Sequence, residues 1–414
     1  MEQFTNDKRN ETMNILFMSL SDYKTVYQHG LYSDLLKQFI KHGDHVYLIS
    51  PFERRNKNEE ERIIHETGAT IAKVKIWNMQ KTNSLEKGVS MLTIDGVFIR
   101  AIKKYFSDVR FDLIIYPTPP ITLFRTIKYV KRRDGAKTYL LLKDIFPQNA
   151  VDIGIMSTTG IKGRVYSYFR KKEKKLYAIS DRIGCMSPAN VKYVLEHNPE
   201  IIPNKVEVCP NTTEPIDMSC TAEERLTLRK RYGIPLNKVV FIYGGNLGKP
   251  QDIPFIIECI KSCADIDQAH FLIVGDGTEY GKLEKYVTGE RPENLKLMKR
   301  LPKEDYDKMA GACDVGLIFL DHRFTIPNFP SRLLSYMEAK LPVLACTDVN
   351  SDIGKIITDA GFGWWCESND AKGFAETVKA IIRKNDYDVA DIETKYLNKY
   401  FSASAAYEII KKNG

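Results

Sequence analysis

The residues best suited to hold an anion lie in TIPNFPSRLLSYMEAKLPVLA, residues 325–345. Prolines on either side of a periodic segment predict a helix from about Arg332 to Lys340, after a loop and before a short buried strand. We expect Ser331 to be its N-cap. A helix N-terminus offers unpaired N–H groups and partial positive charge, and Arg332 adds a bidentate donor for phosphate. Taken alone, the stretch fits an ordinary capped helix with a surface arginine better than a site.

Two glycine-rich turns strengthen the phosphate interpretation. They are GGNLGK, residues 244–249, and GDG, residues 275–277, and each follows a predicted strand. Glycine lets backbone amides approach a phosphate closely, and Lys249 supplies a point charge. Neither turn is a Walker loop or a GxGxxG fingerprint. Because Arg300 and Arg332 also follow strands, we expect all four segments to converge on one sheet edge and form an anion site.

A second polar group follows a predicted strand in the first half, in KDIFPQN, residues 143–149. In open α/β sheets, ligands bind at the carboxyl ends of the strands, where this loop lies. Asp144 could act as a base or hydrogen-bond a sugar hydroxyl, although a turn or capping aspartate is the more common role. His29 precedes a helix and is a weaker candidate, since such a histidine is usually a cap or surface residue.

These segments belong to two series of alternating strands and helices, which predict an α/β fold with parallel sheets. The strand–helix rhythm pauses at KVEVCPNTTEP, residues 205–215. We therefore divide the chain into a first domain of residues 13–212, a second of residues 213–400 and a terminal helix within residues 401–414. The predicted strands are Asn14–Ser19, His45–Ser50, Ala69–Ile76, Asp112–Tyr116, Lys137–Leu142, Arg182–Met186, Val239–Tyr243, His270–Val274, Leu295–Met298, Asp314–Leu320 and Val343–Ala345.

Composition is that of a soluble globular protein. The 414 residues suit two domains. No apolar run of about 18 residues is present, and the polar N-terminus lacks a signal-peptide core, so we expect a cytoplasmic chain. The 8 cysteines form no CxxC pair, and we expect them to be reduced, with no metal bound.

The net charge of +8 is unevenly distributed. Residues 161–175 hold seven basic residues against Glu173 alone, interleaved with aromatic and apolar side chains. A helix of this kind can lie on an anionic membrane surface. A solvated helix face is an equally good interpretation. A nucleic-acid groove ranks lower, because no nucleic-acid motif accompanies the charge.

The motifs as a set resemble one enzyme family. In order, GGNLG, VGDGTEYGKL, RLPKED, DVGLIFL and PSRLLSYMEAKLPVLA resemble the donor domain of the retaining bacterial glycosyltransferases of family 4. YPTPP, DIFPQNAVDIGI and VEVCPN extend the resemblance across the first half, so that it covers nearly the whole chain from Met13. It implies the GT-B fold, in which two Rossmann-like domains with parallel sheets face each other across a cleft.

The resemblance also implies an activity. It is the transfer of a hexosyl or N-acetylhexosaminyl residue, with retention, from a nucleotide-sugar such as a UDP-sugar to a glycan or a polyprenyl-diphosphate-linked acceptor. No metal or other cofactor is implied. Capsule, O-antigen or exopolysaccharide assembly at the inner face of the cell membrane would fit the basic helix.

Site residues are carried over by position. The implied catalytic residues are Asp144, Lys249 and Arg332. The donor would contact Gly245, Asn246, Gly248, Gly275, Asp276, Gly277, Arg300, Ser331, Leu333, Ser335 and Glu338. The acceptor side would hold His29, Lys143, Gln148 and Asn149.

The chain departs from the family at paired glutamates, whose positions are occupied by Pro327 and Ser335. Glu338 could replace the ribose-binding carboxylate, but it is three residues out of register. Asn246 and Gln251 stand where relatives often have Arg and Lys. Two alternatives therefore stay open. One is a catalytically degenerate partner subunit, and the other is a nucleotide-sugar epimerase of the same architecture.

Overall fold

The computed structural model describes residues 12–79, 84–385 and 387–413. The polar N-terminal residues 1–11, which bear on the expected compartment, lie outside this description, as does Gly414. Within the described ranges, no helix has both the length and the apolar character needed to cross a bilayer.

The first unit contains an eight-stranded sheet with the order β3-β4-β2-β1-β5-β6-β7-β8. Its strands are β1 Asn14–Met18, β2 His45–Glu53, β3 Arg62–Glu66, β4 Ala69–Ile76, β5 Leu113–Pro117, β6 Lys137–Leu142, β7 Arg182–Cys185 and β8 Val206–Val208. Its helices are α1 Leu31–Lys41, α2 Ser84–Tyr105, α3 Phe124–Asp134, α4 Gln148–Asp152, α5 Gly160–Ile179 and α6 Pro188–His197.

The apolar strand β1 lies at the centre of this sheet because both of its faces are covered. Leu16 and Met18 pack into one core cluster, and Ile15 and Phe17 into the cluster on the opposite face. All four side chains have no exposed surface. Alternate residues of a strand point to opposite faces, so a continuous apolar run indicates a strand buried between two helix layers.

The second unit contains a six-stranded parallel sheet with the order β11-β10-β9-β12-β13-β14. Its strands are β9 Val239–Asn246, β10 Ala269–Asp276, β11 Leu295–Lys299, β12 Val315–Phe319, β13 Val343–Thr347 and β14 Gly363–Glu367. Its helices are α7 Ala222–Arg231, α8 Ile253–Ser262, α9 Tyr280–Glu290, α10 Lys303–Gly311, α11 Arg332–Glu338, α12 Ile353–Ala360, α13 Ala371–Lys384 and α14 Ala390–Tyr396.

The last helix, α15 Ala403–Asn413, returns to the first unit and packs on α1. The rings of Tyr407 and His42 stack with their centroids 4.1 Å apart, and Lys411 lies 3.3 Å from Asp44. The two units also meet through residues 320–326, whose side chains Leu320, Phe324 and Ile326 belong to a core cluster of the first unit.

Three strands were not predicted, namely β3, β8 and β14. The strand β3 pairs antiparallel to β4, so the first sheet is not wholly parallel. The predicted end of α11 was also wrong, since the helix stops at Glu338 and Lys340 has a left-handed backbone with φ 56°.

Candidate functional site

A cavity of about 470 Å³ opens at the carboxyl edge of the second sheet. Small-ligand sites typically have about 300–1,000 Å³. The ends of β9 and β10, the segment after β11, the start of α10 and the start of α11 contribute to it. Its lining residues are Gly244, Gly245, Asn246, Gln251, Val274, Arg300, Leu301, Lys303, Tyr306, Leu320, Pro330, Ser331, Arg332 and Ser335.

Positive charge dominates this cavity. Arg300, Lys303 and Arg332 line it, and no Asp or Glu lines it among the described residues. Lys303 lies 2.6 Å from the carboxylate of Asp307, which is not among the lining residues. A concave site with this charge favours an anionic ligand, because the low-dielectric walls strengthen the attraction.

The guanidinium of Arg332 is held by the end of β9. Its Nη2 donates to the hydroxyl of Tyr243 at 2.9 Å, and its Nε donates to the carbonyl of Gly244. The guanidinium carbon lies 4.1 Å from the centroid of the Tyr243 ring. Within the described part of the chain, these bonds occupy two of the five N–H donors of arginine, which leaves donors for a ligand.

The glycine-rich turn leaves room for this arginine. Gly245 has φ +129°, and a Cβ there would come within 2.7 Å of Arg332 Nη2. A Cβ on Gly244 would come within 2.0 Å of the Tyr306 ring. Besides its glycines, this region lines the cavity with two neutral side chains, Asn246 and Gln251. Gln251 Oε1 accepts from Asn246 Nδ2 at 3.2 Å and from the backbone N–H of Gly248 at 3.1 Å. The cationic side chains at the cavity therefore come from other elements.

Ser331 lines the cavity, but the N-cap prediction was wrong. Its backbone is already helical, with φ −63° and ψ −13°, and its side chain makes no capping hydrogen bond. A cap residue normally has extended backbone, which directs its hydroxyl to the first turn. Here the amides of Leu333 and Leu334 donate to the carbonyls of Pro330 and Ser331 instead. Fewer first-turn amides than expected are therefore available to a ligand.

Several predicted donor residues lie outside the cavity lining. Leu333 is buried in the core. Gly275 and Gly277 allow close packing of loops rather than an approach to a ligand, because a Cβ on either would come within 2.3 Å of a carbonyl oxygen of the glycine-rich turn. Gly248 is buried in its turn, and Asp276 is exposed beside it, accepting from the amide of Gly277 at 2.9 Å.

The two other charged candidates also lie away from the lining. Lys249 is exposed, at the start of a short 3₁₀ turn over Lys249–Gln251. Glu338 is buried, and its Oε1 accepts from Thr213 Oγ1 at 2.9 Å. Burial raises the pKa of Glu338. At 3.6 residues per turn, Glu338 lies about 120° around the helix axis from Arg332, so it faces the junction between the units.

On the first unit, Asp144 lies between β6 and α4 and accepts from Asn149 Nδ2 at 2.7 Å. Burial raises its pKa to about 6. Gln148 donates to Asp152 Oδ1 at 2.8 Å, and Asp152 in turn accepts from the backbone and side chain of Thr325 at 2.8 and 3.0 Å. A hydrogen-bonded path therefore joins the loop of Asp144 to the segment that leads to α11.

Two further acceptor-side candidates are held by the structure. Lys143 Nζ donates to the carbonyls of Cys209 and Pro210 at 3.1 and 3.0 Å, and its burial lowers its pKa. His29 Nδ1 lies 3.0 Å from Asp34 Oδ2, and its Nε2 lies 4.0 Å from Glu338 Oε1. The hydrogen bond to Asp34 raises the pKa of His29. Both side chains thus have polar partners, and His29 also approaches Glu338 of the second unit.

One group in the described residues has donor atoms close enough for a metal ion, formed by Asp252, Asp321 and His322. None of the three lines the cavity. Arg323 Nε donates to both carboxylate oxygens of Asp321, at 2.9 and 3.2 Å, so this carboxylate already has a cationic partner.

Sequence reasoning missed Tyr243, Lys303 and Tyr306 as parts of the site. Lys303 and Tyr306 are three residues apart on α10, which is the spacing that puts two side chains on one helix face. That spacing, directly after Arg300-Leu301-Pro302, was a usable signal. Nothing in the sequence indicated that Tyr243, at the end of an apolar strand, would contact Arg332.

Comparisons with known proteins find glycosyltransferases that are similar to this chain. Residues 224–397 match the family model described as "Glycosyl transferases group 1". The probable glycosyltransferase WbjE of Pseudomonas aeruginosa is 25% identical over 331 residues, or 79% of this chain and 80% of that protein. The putative colanic acid biosynthesis glycosyl transferase WcaI of Escherichia coli K12 is 24% identical over 59% of this chain and 60% of its own length.

Among solved structures, Anabaena HepE in complex with UDP is similar to this chain with a TM-score of 0.68. The match covers 97% of this chain and 99% of that one at 14% identity. The two sheets and the match to such structures define the GT-B fold of glycosyltransferases. The residues that match the group 1 glycosyltransferase model include β9 to β14 and every lining residue of the cavity.

Proposed function

We propose that the protein is a retaining glycosyltransferase that moves a hexosyl or N-acetylhexosaminyl residue from a UDP-sugar to a lipid-linked or growing bacterial surface glycan. The observation that carries this proposal is the cavity with three cationic and no acidic lining residues among those described. UDP leaves with a negatively charged diphosphate, which such a cavity is suited to bind. The UDP-bound HepE structure supports the choice of nucleotide, and the description of WcaI supports a surface glycan.

In this proposal, charge develops on the departing diphosphate, and Arg332, Arg300 and Lys303 stabilise it. Such preorganised donors are usually a large part of catalysis. Asp144 would orient the acceptor hydroxyl from the first unit. The cavity lies where the two units meet, since Leu320 both lines it and packs into the core of the first unit. Closure of the units would exclude water that could hydrolyse the donor.

The donor is tested by titrating the protein calorimetrically with UDP, GDP and dTDP. We expect UDP to bind at least tenfold more tightly than the other two. Equal affinity for all three would remove the assignment to UDP, and no binding of any would overturn the transferase proposal. With a UDP-sugar and a lipid-linked acceptor, the product anomeric configuration, read by NMR, should equal that of the donor.

The basic helix α5 supports an acceptor on a membrane. Its one acidic residue, Glu173, is buried and takes hydrogen bonds from Tyr177 and Arg170. The exposed surface is therefore basic, and it also presents an apolar row of Ile161, Val165 and Tyr168. Tyr166 on this helix donates to Gln148 Oε1 at 3.2 Å, so α5 contacts the loop of Asp144.

Replacing Lys171, Lys172, Lys174 and Lys175 together by serine should abolish binding to vesicles that contain phosphatidylglycerol. Each basic side chain near an anionic surface contributes about 1 kcal/mol. A matched control replaces four exposed lysines of the second unit: Lys282, Lys285, Lys355 and Lys372. The control should bind as the wild type does in a vesicle co-sedimentation assay. Unchanged binding of the α5 variant would remove the membrane part of the proposal.

One observation favours a second candidate, a transferase-like partner subunit without its own turnover. No carboxylate lines the cavity in the described residues, and Glu338 is buried elsewhere. This candidate predicts tight UDP binding with no sugar transfer or donor hydrolysis. Transfer to any lipid-linked acceptor, lost in a cavity variant, would exclude it.

A further inference from the structure

Tyr243 lies entirely below the surface, yet its hydroxyl contacts Arg332, which lines the cavity. The residue is on β9, and its ring packs in the core of the second unit, with its centroid 6.1 Å from that of Phe319. Its hydroxyl donates to the carbonyl of Asn246 at 2.7 Å and accepts from Arg332 Nη2 at 2.9 Å. A tyrosine hydroxyl has one proton to donate and lone pairs to accept, so both contacts are satisfied at once.

The same residue contacts the guanidinium through its ring, 4.1 Å away. Stacking on a ring and a hydrogen bond to its hydroxyl restrict a long side chain that otherwise has many rotamers. The glycine-rich turn bounds the guanidinium near Gly245, where even a Cβ would come too close. The guanidinium of Arg332 is thus confined between Tyr243 and Gly245, which both lie at the end of β9.

We propose that Tyr243 is a positioning residue that holds Arg332 in the orientation that receives the diphosphate of the donor. This inference rests on the proposed function. It follows from the neutral side chains with which this region lines the cavity, Asn246 and Gln251, because Lys249 lies outside the lining. The affinity for diphosphate then depends on cationic side chains from other elements. Among these, Arg332 is the side chain whose orientation is fixed by β9.

The test is Tyr243→Phe, which keeps the ring and removes the hydroxyl. Tyr336→Phe is the matched control. Tyr336 is equally buried, and its hydroxyl donates to backbone carbonyls of β9 and β12, those of Ile242 and Leu317, both at 3.0 Å. We expect both variants to lower Tm by similar amounts, and only Tyr243→Phe to weaken UDP binding about tenfold in calorimetric titrations.

Two further titrations, one with uridine and one on a double variant, distinguish an effect on the orientation of Arg332 from a general disturbance of the binding site. Uridine has no phosphate, so its affinity should be the same in the wild type and in Tyr243→Phe. In an Arg332→Ala background, Tyr243→Phe should have no further effect on UDP. A Kd for UDP unchanged by Tyr243→Phe, or equal weakening of uridine and UDP, would overturn the proposal.

If Tyr243→Phe does not fold, Gly245→Ala disturbs the same contact from the other side, since its Cβ would displace the guanidinium. At least tenfold weaker UDP binding supports the proposal, and an unchanged Kd overturns it. The proposed function fails separately, if the wild type binds no nucleotide. When Arg332→Ala weakens UDP and Tyr243→Phe does not, only the positioning role is lost.

Discussion

Arg332→Ala is expected to weaken UDP binding about 100-fold, which corresponds to about 2.7 kcal/mol. The physical reason is that arginine can make paired, charge-assisted hydrogen bonds to phosphate, and each is stronger than a neutral one. The guanidinium lines the cavity and its orientation is fixed by Tyr243 and Gly244. Calorimetric titration with UDP measures the change, and Arg332→Lys should recover only part of it, because lysine lacks the planar fork.

A matched control is Arg323→Ala. Arg323 lies nine residues earlier in the same segment, pairs with Asp321 and does not line the cavity. Its removal should leave the Kd for UDP unchanged. Equal weakening by both variants would mean that net charge, rather than the geometry at Arg332, determines affinity. No weakening by Arg332→Ala would remove this residue from the donor site.

The sequence predicted part of how the cavity is assembled: three of the four segments expected to converge contribute to its lining, whereas the GDG turn, residues 275–277, lies outside it. Apolar strands buried on both faces read as continuous runs, so the order of strands and helices in each half could be inferred. Carboxyl ends of parallel strands share one edge, and that rule brought together segments far apart in the chain. Gly245, Arg300 and Arg332 belong to three such segments, and all of them line one cavity.

Details that depend on side-chain direction or backbone angle could not be predicted in the same way. Ser331 has a residue type suited to capping, but its backbone angles are helical, and residue type does not determine them. Glu338 is only three residues from Ser335, yet the turn of the helix carries it to Thr213 instead of the cavity. Closeness in sequence was therefore a poor guide to closeness in space. The side chains of α11 point in different directions around the helix axis, so only some of them face the cavity.

Edge elements were missed for a different reason. The strand β3 is only partly buried, and its sequence RIIHE shows no clean alternation of apolar and polar residues. It follows the charged run NKNEEE, which is typical of a loop. Such a strand is stabilised mainly by its pairing with β4, a long-range contact that has no local signal. The role of Tyr243 was hidden likewise, because its partner Arg332 is 89 residues away.

Asp144→Asn is expected to lower the rate of sugar transfer by about 10²–10⁴-fold, the usual contribution of a positioned acid–base group. The exchange keeps an oxygen that can accept from Asn149, so the loop should keep its conformation. Burial raises the pKa of Asp144 to about 6, so the carboxyl loses its charge as the pH falls through that value. In the wild type, activity should therefore fall below about pH 6, and the residual activity of Asp144→Asn should lack this acid limb.

The raised pKa of Asp144 also predicts the stability of the variant, which distinguishes the loss of a carboxylate from damage to the fold. A carboxyl whose pKa is higher in the folded than in the unfolded state binds its proton more tightly when folded, so this group destabilises the fold as the pH rises from about 4 to above 6. Asp144→Asn removes that charge and should leave Tm at pH 7.5 unchanged or higher. Its Kd for UDP should equal that of the wild type, because the loop of Asp144 does not line the donor cavity. Full transfer activity in this variant, or an acid limb that persists in it, would exclude Asp144 from the reaction and leave the acceptor hydroxyl to be oriented by another group of the first unit.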